Sequence, residues 1–447
     1  DPLPAAVAPG ALATRRFRVR VPADAAPGGA YFLRAPRAGD LYAWTGDPAV
    51  DGLPFEPAPV RARAAVVVEG AELPLAAEAA FREVDPRQGE LRRPVLVVPA
   101  VSVLLEPEAS VLAVPEATSS ASPAPLRYRV RLRGEAPDGI AGTLRLVLPE
   151  GWSAEPAAAP VRFAGPGEQR EVDFAVRAPV GVSAGDHAVR AVFEAEDGRR
   201  FGRGVQLVDY PHVRARPIVH EAASRVRAFD VRVPPGLRVA YVEGAGEEGP
   251  AVLRQLGIVP DLLDAEALAG RDLSRYDVIV AGSRAYEVRP DLAAHNARLL
   301  EYVHRGGTLI VQYNKYELVE GGFTPFPITM GRPHDRVTDE EAPVRLLDPS
   351  HPALSRPNRI TARDFEGWIQ ERGLYFARTW APEYTPLLET GDPGEAPLRG
   401  GLLVAPYGEG TYVYTGLAFF RQLPAGVPGA WRLFANLLAL GAGEDRR

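Results

Sequence analysis

The chain has 447 residues, 46% apolar and 24% charged, a composition that excludes disorder for most of its length and, by length, points to about three domains. A formal net charge of −6 leaves no electrostatic footprint for nucleic acid or an anionic membrane. The absence of cysteine excludes disulfides, thiolate metal sites and a cysteine nucleophile together, while leaving the compartment open.

The chain opens Asp1-Pro2, with no methionine, basic n-region or apolar h-region, and reads as a piece of a longer protein. No apolar run approaches about 18 residues, so no transmembrane helix is predicted.

Residues 1–235 are strand-like. Phe17-Arg18-Val19-Arg20-Val21, Tyr128-Arg129-Val130-Arg131-Leu132, Thr143-Leu144-Arg145-Leu146-Val147 and Val172-Asp173-Phe174-Ala175-Val176 alternate apolar and polar residues, with Pro and Gly between runs. Period two with turn punctuation predicts antiparallel sheets with one wet face. Two Ig-like β-sandwiches are therefore expected. The first spans 1–105 and looks incomplete, because its opening strand starts close to the chain start. The second spans 106–210. Gly151-Trp152 follows a strand ending Leu148-Pro149, where a tryptophan plugs a sandwich core or stacks on a sugar. Residues 211–235, rich in proline, read as a linker.

From residue 236 the period changes. Leu237–Val242, Val259–Leu263, Asp277–Ala281 and Thr308–Val311 read as strands, and Ala251–Leu256 as helix. Leu292, Asn296, Leu299, Leu300 and Val303 fall on one helical face, closed by Gly306-Gly307. Strand–helix–strand repetition predicts a parallel sheet with helices on both faces, so 236–447 is expected to be an α/β domain. A hairpin is expected over Gly401–Ala405 and Thr411–Thr415. A last helix carries Ala430, Leu433, Phe434, Leu437 and Leu438.

Five segments carry candidate chemistry. Gly244-Ala245-Gly246-Glu247-Glu248-Gly249 matches G-x-G-x-x-G between a strand and a helix, with Asp264 about 20 residues on. Glu247 and Glu248 would repel a pyrophosphate there, so a tight turn explains the glycines better. The strand ends Gly282-Ser283-Arg284-Ala285-Tyr286-Glu287 and Gln312-Tyr313-Asn314-Lys315-Tyr316-Glu317 each offer a cation, a tyrosine and a carboxylate. Ligands bind beyond the carboxyl ends of parallel strands, so Arg284, Tyr286, Glu287, Tyr313, Asn314 and Lys315 are candidate ligand-binding residues. Lys315 is the single lysine among 51 basic residues. A lysine there suits a shifted ammonium or an ion pair with Glu287 or Glu317. The charged loops around Arg336 and Glu340, and around Trp368, Glu371 and Arg372, add either a sugar-binding face or an ion-paired lid. The seven histidines are scattered; His334-Asp335 is the one His-Asp step in that order, no metal motif is present, and G-x-S-x-G is absent.

Asp277–Glu287 (DVIVAGSRAYE), Gly306–Glu317 (GGTLIVQYNKYE), Asp335–Val344 (DRVTDEEAPV), Asp364–Tyr375 (DFEGWIQERGLY) and Thr411–Val427 (TYVYTGLAFFRQLPAGV) resemble the C-terminal region of large bacterial PIG-L/LmbE-like deacetylases. In that family a zinc-dependent N-acetyl-sugar deacetylase domain comes first. Sandwich modules similar to sugar-binding-associated domains follow, and then a domain similar to class I glutamine amidotransferases, with a flavodoxin-like fold. The family's His-Pro-Asp-Asp-type zinc motif has no match here, so the resemblance implies zinc only in a deacetylase domain absent from this chain, and no cofactor within it. Amidotransferases carry a cysteine after the strand matching Thr308–Val311, where this chain has Tyr313-Asn314-Lys315. Thr415-Gly416-Leu417 stands where their late His-x-Glu would be. Thiolate chemistry is therefore excluded.

Three functions are open at this stage. The favoured one is a non-catalytic accessory region of a secreted or cell-envelope sugar deacetylase, binding carbohydrate or packing on the deacetylase domain. The second is an active hydrolase using Lys315, Glu287 or Glu317. The third is a structural or assembly module.

Overall fold

The computed structural model describes residues 6–8, 10–22, 25–35, 41–44, 46–114, 124–210, 212–213, 215–246 and 248–443. The opening Asp1-Pro2 and Glu247 lie outside them.

One β-sandwich is built as period-two patterning requires. In Leu126–Gly134, Leu126, Tyr128, Val130 and Leu132 are buried while the intervening arginines face water. This strand lies between Val101–Glu106 and Gln169–Arg177, and Ser153–Glu155 completes the sheet. The opposing sheet runs Ala159–Phe163, Ile140–Val147, Gly185–Ala195, Ala223–Phe229, Ala109–Ala113, with Arg200–Phe201 beside Gly185–Ala195. Between them Val103, Val130, Val189, Phe193 and Val226 are fully buried. Each such side chain contributes about 1.5–3 kcal/mol. Trp152 packs half-buried against this core, its ring 5.4 Å from His187.

Two expectations need correction. The described residues before 95 do not close a sandwich of their own. Arg61–Val68 pairs with Ala71–Glu78, and Ala80–Asp85 with Gly89–Pro94, as separate two-stranded hairpins. Phe17–Val21 joins neither. Val101–Glu106, whose residues up to 105 fall within the first expected sandwich, pairs with Leu126–Gly134 instead. Likewise 211–235 is not simply a linker. Arg216–Glu221 pairs with Arg203–Val208, and Ala223–Phe229 joins the sandwich, antiparallel to Gly185–Ala195 and parallel to Ala109–Ala113. Its alternation of buried Ser224, Val226 and Ala228 supplies the inward face. Proline density had masked it.

The C-terminal part is a seven-stranded mixed sheet. We label its strands β1 (Val239–Val242), β2 (Asp261–Leu262), β3 (Val278–Ala281), β4 (Thr308–Gln312), β5 (Thr385–Pro386), β6 (Leu402–Tyr407) and β7 (Gly410–Thr415). The spatial order is β2-β1-β3-β4-β7-β6-β5, parallel from β2 to β7 and antiparallel thereafter. Strands β1, β3 and β4 are buried on both faces, which is why they read as unbroken apolar runs. Val239, Tyr241, Val278, Val280, Ile310 and Val413 face one layer with helices Gly249–Gln255 and Pro428–Ala439. Ala240, Val242, Ile279, Ala281, Leu309, Val311 and Tyr414 face the other, with Ala265–Gly270 and Asn296–His304. The single helix expected over Leu292–Val303 is two, Pro290–Ala294 and Asn296–His304.

Sandwich and sheet share one apolar cluster. Val111, Phe229 and Val231 belong with Trp431, Phe434 and Leu437, and the Phe229 and Trp431 rings lie 6.4 Å apart, edge to face. Polar bonds fix the junction. The Val111 N–H donates to Gln255 Oε1 at 2.6 Å. Asn358, fully inside, accepts from the Arg232 N–H at 2.9 Å and donates to the Arg232 carbonyl at 2.9 Å and to Asn436 Oδ1 at 3.0 Å.

Candidate functional site

The carboxyl ends of β3 and β4 bring the predicted cluster together. Arg284 follows β3 with φ 57°, and Tyr313 follows β4 with φ 44°. Among the described residues five non-glycine positions have positive φ. Four of them, Arg284, Tyr313, Gln370 and Tyr375, belong to this region. Left-handed backbone costs about 1–2 kcal/mol per residue, so the surrounding packing must hold it. An insert between β4 and β7 helps: strands Ile328–Val337 and Gly373–Trp380 pair antiparallel and bring Tyr375 over the strand ends. The Tyr375 ring lies 5.5 Å from Tyr313, 6.1 Å from Tyr316 and 5.0 Å from His334.

Arg284, Glu287 and Lys315 form one ion network. Arg284 Nε and Nη2 donate to Glu287 at 2.6 and 2.8 Å, and Lys315 Nζ donates to Glu287 Oε1 at 2.9 Å. The bidentate Arg284, aided by Lys315, holds the Glu287 carboxyl well below its ordinary value, at about 2. The same contact raises the Lys315 ammonium. A base or Schiff-base lysine needs the opposite shift. Glu317 is exposed and acts on Arg284 and Lys315 only through its charge, not as an ion-pair partner.

Tyr286 and Asn314 are inward scaffolding. Asn314 Oδ1 accepts the Tyr286 N–H at 2.9 Å, its amide donates to the Gln312 carbonyl at 2.7 Å, and Tyr286 OH donates to Asn296 Oδ1 at 2.7 Å. Burial pushes the Tyr286 phenol up. Tyr313 OH donates to Glu371 Oε1 at 3.1 Å, and Arg421 Nε donates to the same oxygen at 3.0 Å. Arg421 also reaches Gln370 and stacks 4.8 Å over Phe420, whose ring is 4.7 Å from Tyr313. Sequence reasoning missed Tyr375, Phe420 and Arg421 as neighbours of Tyr313. Their only signal was aromatic density in two segments far apart in the chain.

The loop candidates divide. Trp368 is 3% exposed and its Nε1–H donates to the Asp364 carbonyl at 3.0 Å; it is a core residue and presents no sugar face. Arg372 is buried beside it, donating to the Ala342 carbonyl at 3.0 and 2.8 Å and to the Phe365 carbonyl. Burial pulls its guanidinium down to about 10, although the charges of Asp339, Glu340 and Glu341 oppose this. Arg336 pairs with Asp392 and Glu395 at 3.2 and 3.0 Å, in a group separate from the strand-end network. His334 and Asp335 part company, since Asp335 binds Arg378 at 2.9 and 2.7 Å. Among the described residues no group of three His, Asp or Glu is placed to hold a metal ion.

The glycine motif has a packing explanation. A Cβ on Gly244 would meet the Ser283 carbonyl oxygen at 1.9 Å, and one on Gly249 the Tyr241 hydroxyl at 2.1 Å. Between sandwich and α/β domain lies a cleft of about 1160 Å³, lined by Glu106, Glu108 and Arg127 on one side and Arg254, Gln255 and Arg421 on the other. No described helix is long and apolar enough to cross a membrane.

Comparison with known proteins gives one family. A model described as the NPCBM-associated, NEW3 domain of alpha-galactosidase matches residues 115–195. Residues 115–123 of that span lie outside the described ones; the remainder falls on the sandwich. No curated protein matches the sequence. Similar solved structures include cytoplasmic protein STM3548 from Salmonella typhimurium, at 15% identity, covering 53% of this chain and 94% of that one with a TM-score of 0.32. The β-galactosidase of Rahnella sp. R3 is 18% identical, covering 45% and 31%, with a TM-score of 0.25. That of Bacillus circulans sp. alkalophilus is 15% identical, covering 47% and 31%, also at 0.25.

Proposed function

We propose that this chain is a non-catalytic, carbohydrate-binding accessory region of a larger glycan-processing protein. The observation that carries the proposal is the match of residues 115–195 to a domain found in alpha-galactosidase. The strand-end site supports the non-catalytic half. Its carboxylate stays ionised and its lysine stays protonated, so neither is poised to move a proton near neutral pH. The hydrolase reading has only the proximity of Arg284, Glu287 and Lys315 in its favour, and they are spent on one another.

The finer reading is that the parent is a PIG-L/LmbE-like deacetylase, secreted or held in the cell envelope, with zinc confined to a deacetylase domain outside this chain. The run from Asp277 to Glu287 and the others quoted above support it. The α/β domain would then be flavodoxin-like and related to class I glutamine amidotransferases. The order β2-β1-β3-β4 is in keeping with that, as is left-handed Tyr313 in the place of their cysteine. An assembly role has one observation behind it. In the hairpin Arg61–Glu78, Ala62, Ala64, Val66 and Val68 align with Ala77, Leu75, Leu73 and Ala71 as an all-apolar exposed face.

Glycan-array binding, run with deacetylase and glycosidase assays on this chain, tests the proposal. Binding without turnover is expected. Turnover of any N-acetyl sugar removes the non-catalytic claim, and an array without a hit removes the binding claim.

A further inference from the structure

We propose that the glycan-binding surface is an aromatic platform made by Tyr42 and Trp44, backed by Tyr31, Phe32, Phe55 and Arg216. The inference rests on the carbohydrate-binding reading above and gives it a location away from the strand-end network.

Five aromatic rings fall between residues 31 and 55, and the fold gathers them through contacts the sequence does not show. Tyr31 is buried and acts as the anchor. Its ring lies 5.4 Å from Phe32, edge to face, and 6.2 Å from Trp44; Phe32 lies 5.1 Å from Tyr42, also edge to face. Arg216, from the strand paired with Arg203–Val208, stands over Phe32 at 5.5 Å and over Phe55 at 4.7 Å, and its guanidinium also donates to the Pro54 carbonyl. The Gly52 N–H donates to Tyr31 OH at 2.9 Å, and the Tyr31 N–H donates to Glu56. The rings are thereby tied to the strands beside the sandwich.

The outer rings remain open. Trp44 is 65% exposed and Tyr42 47%. Exposed rings on a braced base are costly to leave in water and mark a binding surface. The chemistry favours sugar over a protein partner. Pyranose C–H faces pack on ring faces as apolar surface, and ring hydroxyls need acceptors close by. Asp47 and Asp51 supply carboxylates in the loop that carries Trp44. Asp47 Oδ1 accepts the Ala49 N–H at 2.9 Å and Asp51 Oδ2 accepts the Gly46 N–H at 2.8 Å, so backbone bonds orient both. A few convergent polar groups around large apolar faces are the general form of a small-molecule site.

The test is affinity gel electrophoresis of the full chain through galactomannan, arabinogalactan, xylan or glycol chitin, with Trp44→Ala, Tyr42→Ala and Phe17→Ala beside it. Phe17 is an exposed ring, 76% accessible, outside the platform. At least one polysaccharide is expected to retard the wild type and Phe17→Ala alike. Trp44→Ala and Tyr42→Ala should weaken binding at least tenfold with unchanged circular-dichroism melting. Retardation of all four proteins alike overturns the platform and leaves the carbohydrate-binding function standing. Retardation of none overturns both. Self-association of the wild type that Trp44→Ala abolishes, without any polysaccharide effect, assigns the rings to a protein contact and overturns the proposal.

Discussion

The Arg284 N–H donates to the Tyr313 carbonyl at 3.1 Å, joining two residues that leave neighbouring strands in left-handed backbone. That bond makes the two strained turns mutually dependent. Only glycine adopts such a φ without a Cβ penalty. Arg284→Ala and Arg284→Gly both delete the bidentate pair with Glu287, but only glycine also relieves the backbone. Arg284→Gly is expected to be about 1 kcal/mol more stable than Arg284→Ala in urea unfolding. Equal midpoints would mean the turn carries no strain.

Glu287 makes stability pH-dependent in a definite direction. Its folded-state value is depressed to about 2 by Arg284 first and Lys315 after it. A depressed carboxylate contributes stability that is full above the ordinary carboxylate range and is lost as pH falls toward the depressed value. Lys315→Met should bring Glu287 part of the way back, so the acid-side loss of stability starts at the same pH as in wild type but is smaller and levels off at a higher pH. Urea midpoints across about pH 6 to 2.5 measure this; superimposable wild-type and Lys315→Met profiles would remove the coupling.

Asn358 and Asn436 form the polar hinge pin of the sandwich junction. The Asn358 N–H donates to Asn436 Oδ1 at 2.9 Å, while Asn436 Nδ2 donates to the carbonyls of Asn358 at 2.7 Å and Ala353 at 3.1 Å. Both side chains are buried, so deleting either strands dry donors and acceptors. Asn436→Leu is expected to cost about 1–3 kcal/mol in spite of its added apolar surface. Because the residues share one network, the pair of Asn358→Ala and Asn436→Ala together should cost less than the sum of each alone. Additive losses would show two independent anchors.

Trp368→Ala separates core from binding surface. The side chain packs with Phe365 at 5.5 Å and Phe419 at 6.2 Å. Truncation is expected to lower stability by about 3–5 kcal/mol. Glycan affinity of the protein that remains folded should stay at the wild-type level. A selective loss of affinity, with melting unchanged, would return Trp368 to the binding site.

Gly249→Ala is expected to lower the melting temperature through its clash with Tyr241, and millimolar NAD should shift neither variant nor wild type. A wild-type shift with NAD would overturn the packing account of this motif.

The sandwich was legible wherever one face is wet and the other dry, as in Leu126–Gly134, because burial there copies the alternation of the residues. Strands β3 and β4 were legible for the opposite reason, being dry on both sides. What escaped was decided by partners distant in sequence. Ala223–Phe229 is a strand because Gly185–Ala195 and Ala109–Ala113 flank it, which local composition does not record. Arg372 looked like surface charge because nothing local announces that the carbonyls of Ala342 and Phe365 will receive it inside. The strand-end residues were identifiable by position and the pairing of Lys315 with Glu287 was among the expectations, but the arrival of Tyr375 and Arg421 depended on the insert and the last helices. The rings from Tyr31 to Phe55 have no strand or helix period, and Arg216 gathers them from far along the chain.

A single lysine also makes the molecule its own reporter. Lys315 carries the chain's one ε-amine, about a quarter exposed and held by Glu287. Reductive methylation with carbon-13 formaldehyde would therefore give one side-chain resonance, distinct from the terminal amine. Its chemical shift would follow the ionisation of Glu287 directly, and any polysaccharide bound elsewhere on the chain would leave that signal in place.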